Sequence, residues 1–487
     1  MKKLLLQYAL LLLPVFALAQ NDPQVYKYLT PKIMGIVGTP FKLNDHTYVI
    51  QTNIDDENFE LIAINDKMGV LWRTTLKGYA IGAGKFKGQI LAVATAGYSI
   101  TKGIANPYTG FLINSQTGKA IQQNVIYTST YQKKEWAKIF FSANDGFSLV
   151  IGLTDNGTTF PGTEIAYIDT KDITVIDLNE KLEAINIKHI VPNGGFVGVT
   201  ANNKNDLFTF VIQEDKTLQV SKYESGKTVS SGSVIQDINL NNKSDIKYNN
   251  PFAGRSTFED NAWSCASSTD QNVVYFAAAH KNSNRDRELT VCKINFNNKT
   301  CQLTSEPLEG KQFRSIEKNY VPFDKKLDKP TIDGGEYMAV RFVAENNGIL
   351  IVAFADESIQ ESASKFFRDN SIIINGYDVN LKQKFQKIMP SLSDWQRALH
   401  ADYHFENNSL YVIANTGKRS KETIYGQLDL TTGNWLKQEM LDRKGIGTQE
   451  FTDKNILWFT NGFIVPYADL KNAITYKKVI DLASYPY

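Results

Sequence analysis

A hairpin that recurs about eight times, an abundance of β-branched and aromatic residues, and turns built from Asn, Asp and Gly together predict an all-β chain folded as a single β-propeller. Two half-motifs alternate. The first is a polar turn followed by a short alternating strand, as in FENNSLYVIAN (405–415); it returns at 43–52, 86–95, 142–153, 192–200, 268–278, 344–354 and 451–460. The second is strand, four- or five-residue turn, strand, as in VIDLNEKLEAI (175–185). Its other copies lie at 61–72, 111–121, 210–220, 292–303, 377–385 and 427–436, with a weaker one at 467–476. Asn, Asp and Gly fill these turns because a tight hairpin needs positive φ or a side chain that closes the turn. Two hairpins make one four-stranded blade of about 40 to 80 residues. A β-sandwich does not repeat one two-hairpin order along a whole chain. Eight copies favour eight blades over seven. The count blurs only at the ends, where the segment before Leu43 or the one after Asn472 can complete a blade begun by the other terminus.

Residues 1–19 read as a secretory signal peptide: Lys2 and Lys3, an apolar run from Leu4 to Leu18 broken by Pro14, and the small-residue ending Ala17-Leu18-Ala19. Cleavage is expected after Ala19, which leaves 20–487 as the propeller domain. No later stretch reaches the roughly 20 apolar residues of a spanning helix. The first Cys is Cys265, far from the cleavage region, so a lipid anchor of the signal-peptide type is not expected. The chain is therefore expected to be exported and periplasmic, outer-membrane-associated or extracellular. Its 53 basic and 51 acidic residues nearly cancel, to a net +2. That balance excludes a nucleic-acid partner, which needs a concentrated basic face.

Cys292 and Cys301, in LTVCKINFNNKTCQLTS, flank a turn centred near Phe296-Asn297, which would set them directly opposite on paired strands. In an oxidising compartment they are a disulfide candidate; two partly buried thiols are the alternative. Cys265 is left over, and the absence of CxxC spacing speaks against a cysteine metal site.

Within a blade of strands a to d, the a–b and c–d turns leave on one face of the disc and the b–c and d–a connections on the other. The long connections (98–107, 155–171, 225–262, 281–287, 310–335, 356–369 and 416–421) all belong to the second class. Elaborated loops should gather on a single face, and loops on a rigid scaffold carry function. One of them, 358–369, reads as a helical insert because Ile359 and Phe366 are spaced to share a helix face.

His400, Asp402 and His404 alternate along a predicted innermost strand and so point the same way. Imidazole and carboxylate suit zinc or another first-row metal, making this trio the candidate metal site; a polar hydrogen-bond ladder between blades is the competing reading. His280, Arg285, Arg287 and Arg419 place cations on the long-loop face, and Trp395 could stack on a ligand there. Asp155-Asn156-Gly157 lacks the calcium-loop spacing. GxSxG, HExxH and the phosphate-binding Gly-rich loop are absent. Apart from a possible metal ion no cofactor is expected.

QLDLTTGNW (427–435), with INDKMGVLW (64–72) and LINSQTGKA (112–120), resembles the units of quinoprotein-like propellers, which run strand, Asp, Thr-Gly turn, Trp. The resemblance implies a propeller fold over most of the chain. It admits two kinds of activity: dehydrogenases that hold a quinone with calcium, a stacking Trp and adjacent cysteines, and non-catalytic scaffolds such as the outer-membrane assembly lipoproteins of the BamB type. This chain has no adjacent cysteine pair, no haem-attachment motif and no anchoring Cys, so no catalytic residue carries over. The expected function is a non-catalytic, protein- or glycan-binding scaffold of the bacterial cell envelope, associated with an outer-membrane complex. The alternative is an enzyme at the channel mouth, acting on glycans with paired carboxylates or using a quinone-like cofactor.

Overall fold

The computed structural model describes residues 24–33, 35–36, 39–55, 57–99, 103–129, 135–142, 146–154, 170–225, 227, 230, 232–237, 263–281, 287–308, 315–316, 318, 320, 337–361, 365–391, 401–416, 422–446, 450–451, 455–468 and 478–487. They form eight antiparallel sheets, each the blade of a propeller. Blade 1 runs Phe41–Asn44, Thr47–Asn53, Asn58–Asn65 and Val70–Lys77, with Gly35–Ile36 beside its second strand. Blade 2 is Tyr79–Phe86, Gln89–Ser99, Gly103–Ile113 and Ala120–Tyr127; blade 3 is Glu135–Phe141, Phe147–Thr154, Thr170–Leu178 and Ala184–Ile190. Blade 4 is Gly195–Ala201, Leu207–Ile212, Thr217–Tyr223 and Gly232–Asp237; blade 5 is Trp263–Ser267, Val273–Lys281, Arg287–Asn295 and Thr300–Pro307. Blade 6 is Tyr337–Asn346, Ile349–Glu361, Lys365–Tyr377 and Gln383–Pro390; blade 7 is Asp402–Glu406, Ser409–Thr416, Glu422–Asp429 and Trp435–Met440.

The last blade closes the ring. Leu457–Phe459 with Glu450–Phe451, then Gly462–Ala468 and Lys478–Pro486, supply three strands, and Gln24–Ile33 adds the outermost. Its register runs from Gln24 opposite Ser484 to Ile33 opposite Lys478. The two ends thus share one blade, and the count stays at eight.

Packing explains the ring. Middle strands are apolar on both faces because each face meets another blade. Tyr48, Ile50, Ile62 and Ile64 pack on Leu457, Phe459 and Ile464 of blade 8, whereas Val49, Leu61 and Ala63 meet Ala80, Ile90 and Ala92 of blade 2. The same sandwiching recurs at the other six junctions, so every blade has a buried cluster on each side. Outer strands alternate instead, since their far side meets water: Leu71 is 53% exposed while Leu76 is 8%.

The c–d turns repeat one device. The side-chain oxygen of Asn65, Asn114, Asn179, Asp378 or Asp429 accepts N–H bonds from the turn, for example from Lys181 at 2.9 Å and Glu183 at 3.0 Å to Asn179. The turn then passes through positive φ, at Met68 (61°), Gly118 (71°), Leu182 (57°), Leu381 (57°) and Gly433 (66°). Where that residue is Leu or Met, its side chain enters the junction with the preceding blade; Leu182 is fully buried. Where it is Gly, the preceding blade covers it with an aromatic. Trp72 lies over Gly118 and donates from its indole to Ser115 O at 3.2 Å, and Phe385 lies over Gly433. The Thr-Gly turns of blades 2 and 7 are therefore one half of an inter-blade contact whose other half is Trp72 or Phe385, whereas Trp435 lies over Gly426 of its own blade.

Four sequence expectations are corrected. In blade 4, 192–200 supplies the first strand rather than the second, and 210–220 spans the b–c turn. The a–b turn there, NNKND, uses the closure otherwise found at c–d turns: Asn202 accepts from Lys204 and Asp206, and Asn205 has φ 66°. The c–d connection is 224–231, an exception to the short turns of that face. In blade 8 likewise, 451–460 supplies the first strand and 467–476 the b–c connection, because the fourth strand arrives from the other terminus. Residues 358–361 and 365–369 are strand rather than helix. Ile349–Glu361 and Lys365–Tyr377 pair as far as Glu361 opposite Lys365, since extending an established ladder costs less than nucleating a separate helix. Finally, Cys292 and Cys301 are not opposite. The turn occupies 296–299, so Ile294 faces Cys301 and Cys292 faces Leu303; the thiols are diagonal neighbours and unbonded.

Among the described residues no helix is long and apolar enough to cross a membrane.

Candidate functional site

Strand order fixes which loops share a face. The b–c and d–a connections, which include 155–169, 238–262 and 309–336, leave opposite the a–b and c–d turns, most of which are two to five residues long. Two hairpins stand above this long-loop face. The second strands of blades 1 and 7 have 7 and 8 residues, but those of blades 2 and 6 have 11 and 13. At about 3.4 Å per residue the excess projects roughly 10 to 17 Å. Blades 2 and 6 are diametrically opposed in a ring of eight, so the hairpins wall the face on two sides.

A cavity of about 430 Å³ is lined by blades 1, 5, 6, 7 and 8, mainly by their innermost strands and hence along the axis. Lys42, Tyr48, Arg341, Asp402, His404 and Trp458 line it. On the opposite face, where blade 8 meets blade 1, a cavity of about 480 Å³ is bounded by Asp45, His46, Asp66 and Ser484, with His46 Nδ1 2.7 Å from Asp66 Oδ2.

Asp402 and His404 share one side of their strand, as the alternation predicts. That side faces blade 8 as well as the axis. Asp402 Oδ2 accepts the Ile456 N–H at 3.0 Å, and the His404 ring stacks on Trp458 with centroids 5.0 Å apart and planes 8° from parallel. Tyr403 points the other way and stacks on Phe342 of blade 6, at 4.6 Å. The physical reason is general to this ring: the innermost strand turns its backbone edge to the axis, and its side chains alternate between the two flanking junctions. Burial, with the Lys42 charge in second place, brings His404 down to about 4, so the imidazole is neutral at neutral pH. Its Nε2 lies 3.8 Å from Glu406, whose carboxylate accepts the Tyr487 hydroxyl at 3.3 Å.

His400, Trp395, Arg285 and Arg419 lie outside the described residues. His280 and Arg287 sit where the middle strands of blade 5 reach the long-loop face. His280 Nε2 is 2.8 Å from Thr290 Oγ1 and 3.4 Å from Glu288 across the ladder, so it belongs to blade 5 and not to the axial group. Among the described residues no three His, Cys, Asp or Glu side chains converge to hold a metal ion.

Sequence reading passed over Arg341, Lys42 and Trp458. A signal for Arg341 existed. YAIGAGKFKGQILAVA (79–94) and AVRFVAENNGILIVAF (339–354) superpose turn on turn, with Gly88 on Gly348, and set Arg341 where blade 2 has Ile81.

No protein-family model matches the chain, and no curated protein sequence matches it. Solved structures similar to it include Saccharomyces cerevisiae Sqt1, at 12% identity over 96% of this chain and 99% of that one, with a TM-score of 0.46. BamB from Moraxella catarrhalis is similar at 6% identity over 95% and 97%, with a TM-score of 0.44. The WD40 domain of SCAP from fission yeast is similar at 9% over 95% and 98%, with a TM-score of 0.42. The propeller assignment rests on the strand order and the eight junctions described above.

Proposed function

We propose that this chain is an exported, non-catalytic β-propeller that binds a protein or glycan partner of the bacterial cell envelope through its long-loop face. One observation carries the reading: the longest connections and both projecting hairpins emerge on the same side of the disc. A rigid ring with one elaborated face presents loops to a partner without having to reorganise on binding. The signal-peptide pattern of residues 1–19 supports export. Affinity purification of the tagged, natively expressed protein from mildly solubilised envelopes tests the proposal. A partner should co-elute stoichiometrically and be lost when the hairpin tips at 99–103 and 361–365 are both shortened to two-residue turns. Recovery of the protein alone, or capture unaffected by shortening the tips, overturns it.

A further inference from the structure

The axial cavity differs from the rest of the ring in how one side chain reaches it. In four blades the innermost strand carries a register shift, an extra residue that breaks the strict alternation between junctions; in blade 1 it is Leu43, between the pairs Lys42–Tyr48 and Asn44–Thr47 and packed in the junction with blade 2. In blade 2 the bulge leaves Ile81 between the pairs Ala80–Ala94 and Gly82–Val93; in blade 4 it leaves Val197 between Phe196–Val211 and Gly198–Phe210. Both residues are apolar and 3% exposed, buried in junctions. Blade 6 has the same bulge, between Val340–Phe354 and Phe342–Ala353, and there the extra residue is Arg341, which lines the cavity. A bulge that re-aims a guanidinium where its counterparts re-aim Ile and Val is a departure that junction packing does not require.

The remaining charges agree. Lys42 lines the same cavity and forms an ion pair with the exposed Asp45, at 3.0 Å, a contact that solvent can replace at little cost. Among the described lining residues Asp402 is the one carboxylate, and it accepts the Ile456 N–H. His404 contributes no charge at neutral pH, because burial first and the Lys42 charge second lower its pKa. Among its described lining residues the cavity thus carries two cations and one carboxylate. The aromatic faces are spent on one another, Trp458 on His404 and Phe342 on Tyr403, so recognition must come from charge and hydrogen bonding rather than stacking. A volume of about 430 Å³ lies within the range of small-molecule sites.

We propose that the axial cavity binds a monosaccharide-sized organic anion, such as the uronate unit of an acidic glycan, with its carboxylate on the Arg341 guanidinium and Lys42 beside it. A guanidinium fork matches a carboxylate in a bidentate pair, and Lys adds a point charge. This rests on the scaffold reading and deepens it by naming a ligand class for its axial cavity. The two fail separately, since envelope capture can succeed without a small-anion site and the anion can bind in the absence of any captured partner.

The test uses the full mature chain and sodium glucuronate, with glucose as the neutral control. Binding is read by calorimetry and by NMR of the His404 ring. Glucuronate should bind saturably and glucose should not. The bound anion should offset the Lys42 charge and raise the His404 pKa from its starting value of about 4. Arg341→Met should weaken binding at least about tenfold, and Arg341→Lys should restore part of it. If Arg341→Met fails to fold, judged by its melting transition, Lys42→Met gives the second reading: weaker glucuronate binding and a higher His404 pKa without ligand. No saturable glucuronate binding, equal binding of glucose, or unchanged affinity in the folded Arg or Lys variants overturns the proposal.

Discussion

Gly433→Ala tests whether blades are locked together through their turns. Gly433 sits at φ 66°, and a Cβ there would lie 2.5 Å from Phe385 Cβ and 2.5 Å from its Cγ. Those atoms are next to the Phe385 backbone and cannot swing away as a flexible chain end would. Two costs add. Placing an L-residue in the left-handed region costs about 1 kcal/mol, and forcing a methyl into a packed contact costs about 1 to 3 kcal/mol. The first can be measured alone. Gly88 has φ 73° and nothing within 4 Å of its would-be Cβ, so Gly88→Ala carries only the backbone strain. In urea unfolding followed by tryptophan fluorescence, Gly88→Ala should lower stability by about 1 kcal/mol and Gly433→Ala by roughly 2 to 4 kcal/mol, with unchanged slope. If the two variants agree within about 0.5 kcal/mol, the aromatic-on-glycine contact does not hold the ring, and the account of the Thr-Gly turns given above is wrong.

Three further outcomes follow from buried polar groups. Burial, with the Lys42 charge in second place, lowers the His404 pKa from the ordinary 6.5 to about 4, so the unfolded chain takes the proton first. The stability of the neutral imidazole is complete above about pH 6.5 and lost as pH falls towards 4; relative to His404→Phe, wild type should lose about 2 kcal/mol across that window, and a parallel pair of pH profiles would refute it. Asp402→Ala leaves the buried Ile456 N–H without its side-chain acceptor and should cost about 1.5 to 3 kcal/mol in urea titration, whereas Asp402→Asn, which keeps an acceptor oxygen, should cost less than half of that. Gln51 is 4% exposed with neither amide atom hydrogen-bonded, so Gln51→Met should leave the melting temperature unchanged or raise it; a clear drop would mean that the amide has a partner in solution, such as a trapped water.

Architecture was legible in the sequence because the ring is built from local devices that leave a mark at fixed spacing. Asn179, Asp378 and Asp429 announce their turns, and double-sided apolar strands such as 273–279 announce blades flanked on both faces. Misreadings arose where a local device appeared out of place. NNKND closes an a–b turn with the chemistry of a c–d turn, which shifted the frame of blade 4 by one strand. The turn at 296–299 lies one residue beyond its apparent centre, which moves the partner of Cys292 by two positions. Neither error changes composition or periodicity, so only the observed register could expose it.

The candidate site was less legible for a geometric reason. Alternation along 400–405 separates His404 from Tyr403 correctly, but it cannot say whether the shared side of Asp402 and His404 is open space or a neighbour; Trp458 and Ile456 take up much of it from a blade more than fifty residues away. An innermost strand that alternates strictly delivers its side chains to junctions, and the axis receives mainly backbone. A charged group directed to the axis therefore benefits from an irregularity, and the bulges at Ile81, Val197 and Arg341 supply it. In three blades, at Leu43, Ile81 and Val197, the extra residue completes a junction, and in blade 6 it brings a cation to the cavity. Superposing blades 2 and 6 turn on turn exposes that difference from the residues alone, because at the same distance before the turn glycine one copy carries Ile81 and the other Arg341. The informative comparison in a repeat of this kind is thus between blades of the same chain, at the position where the alternation slips.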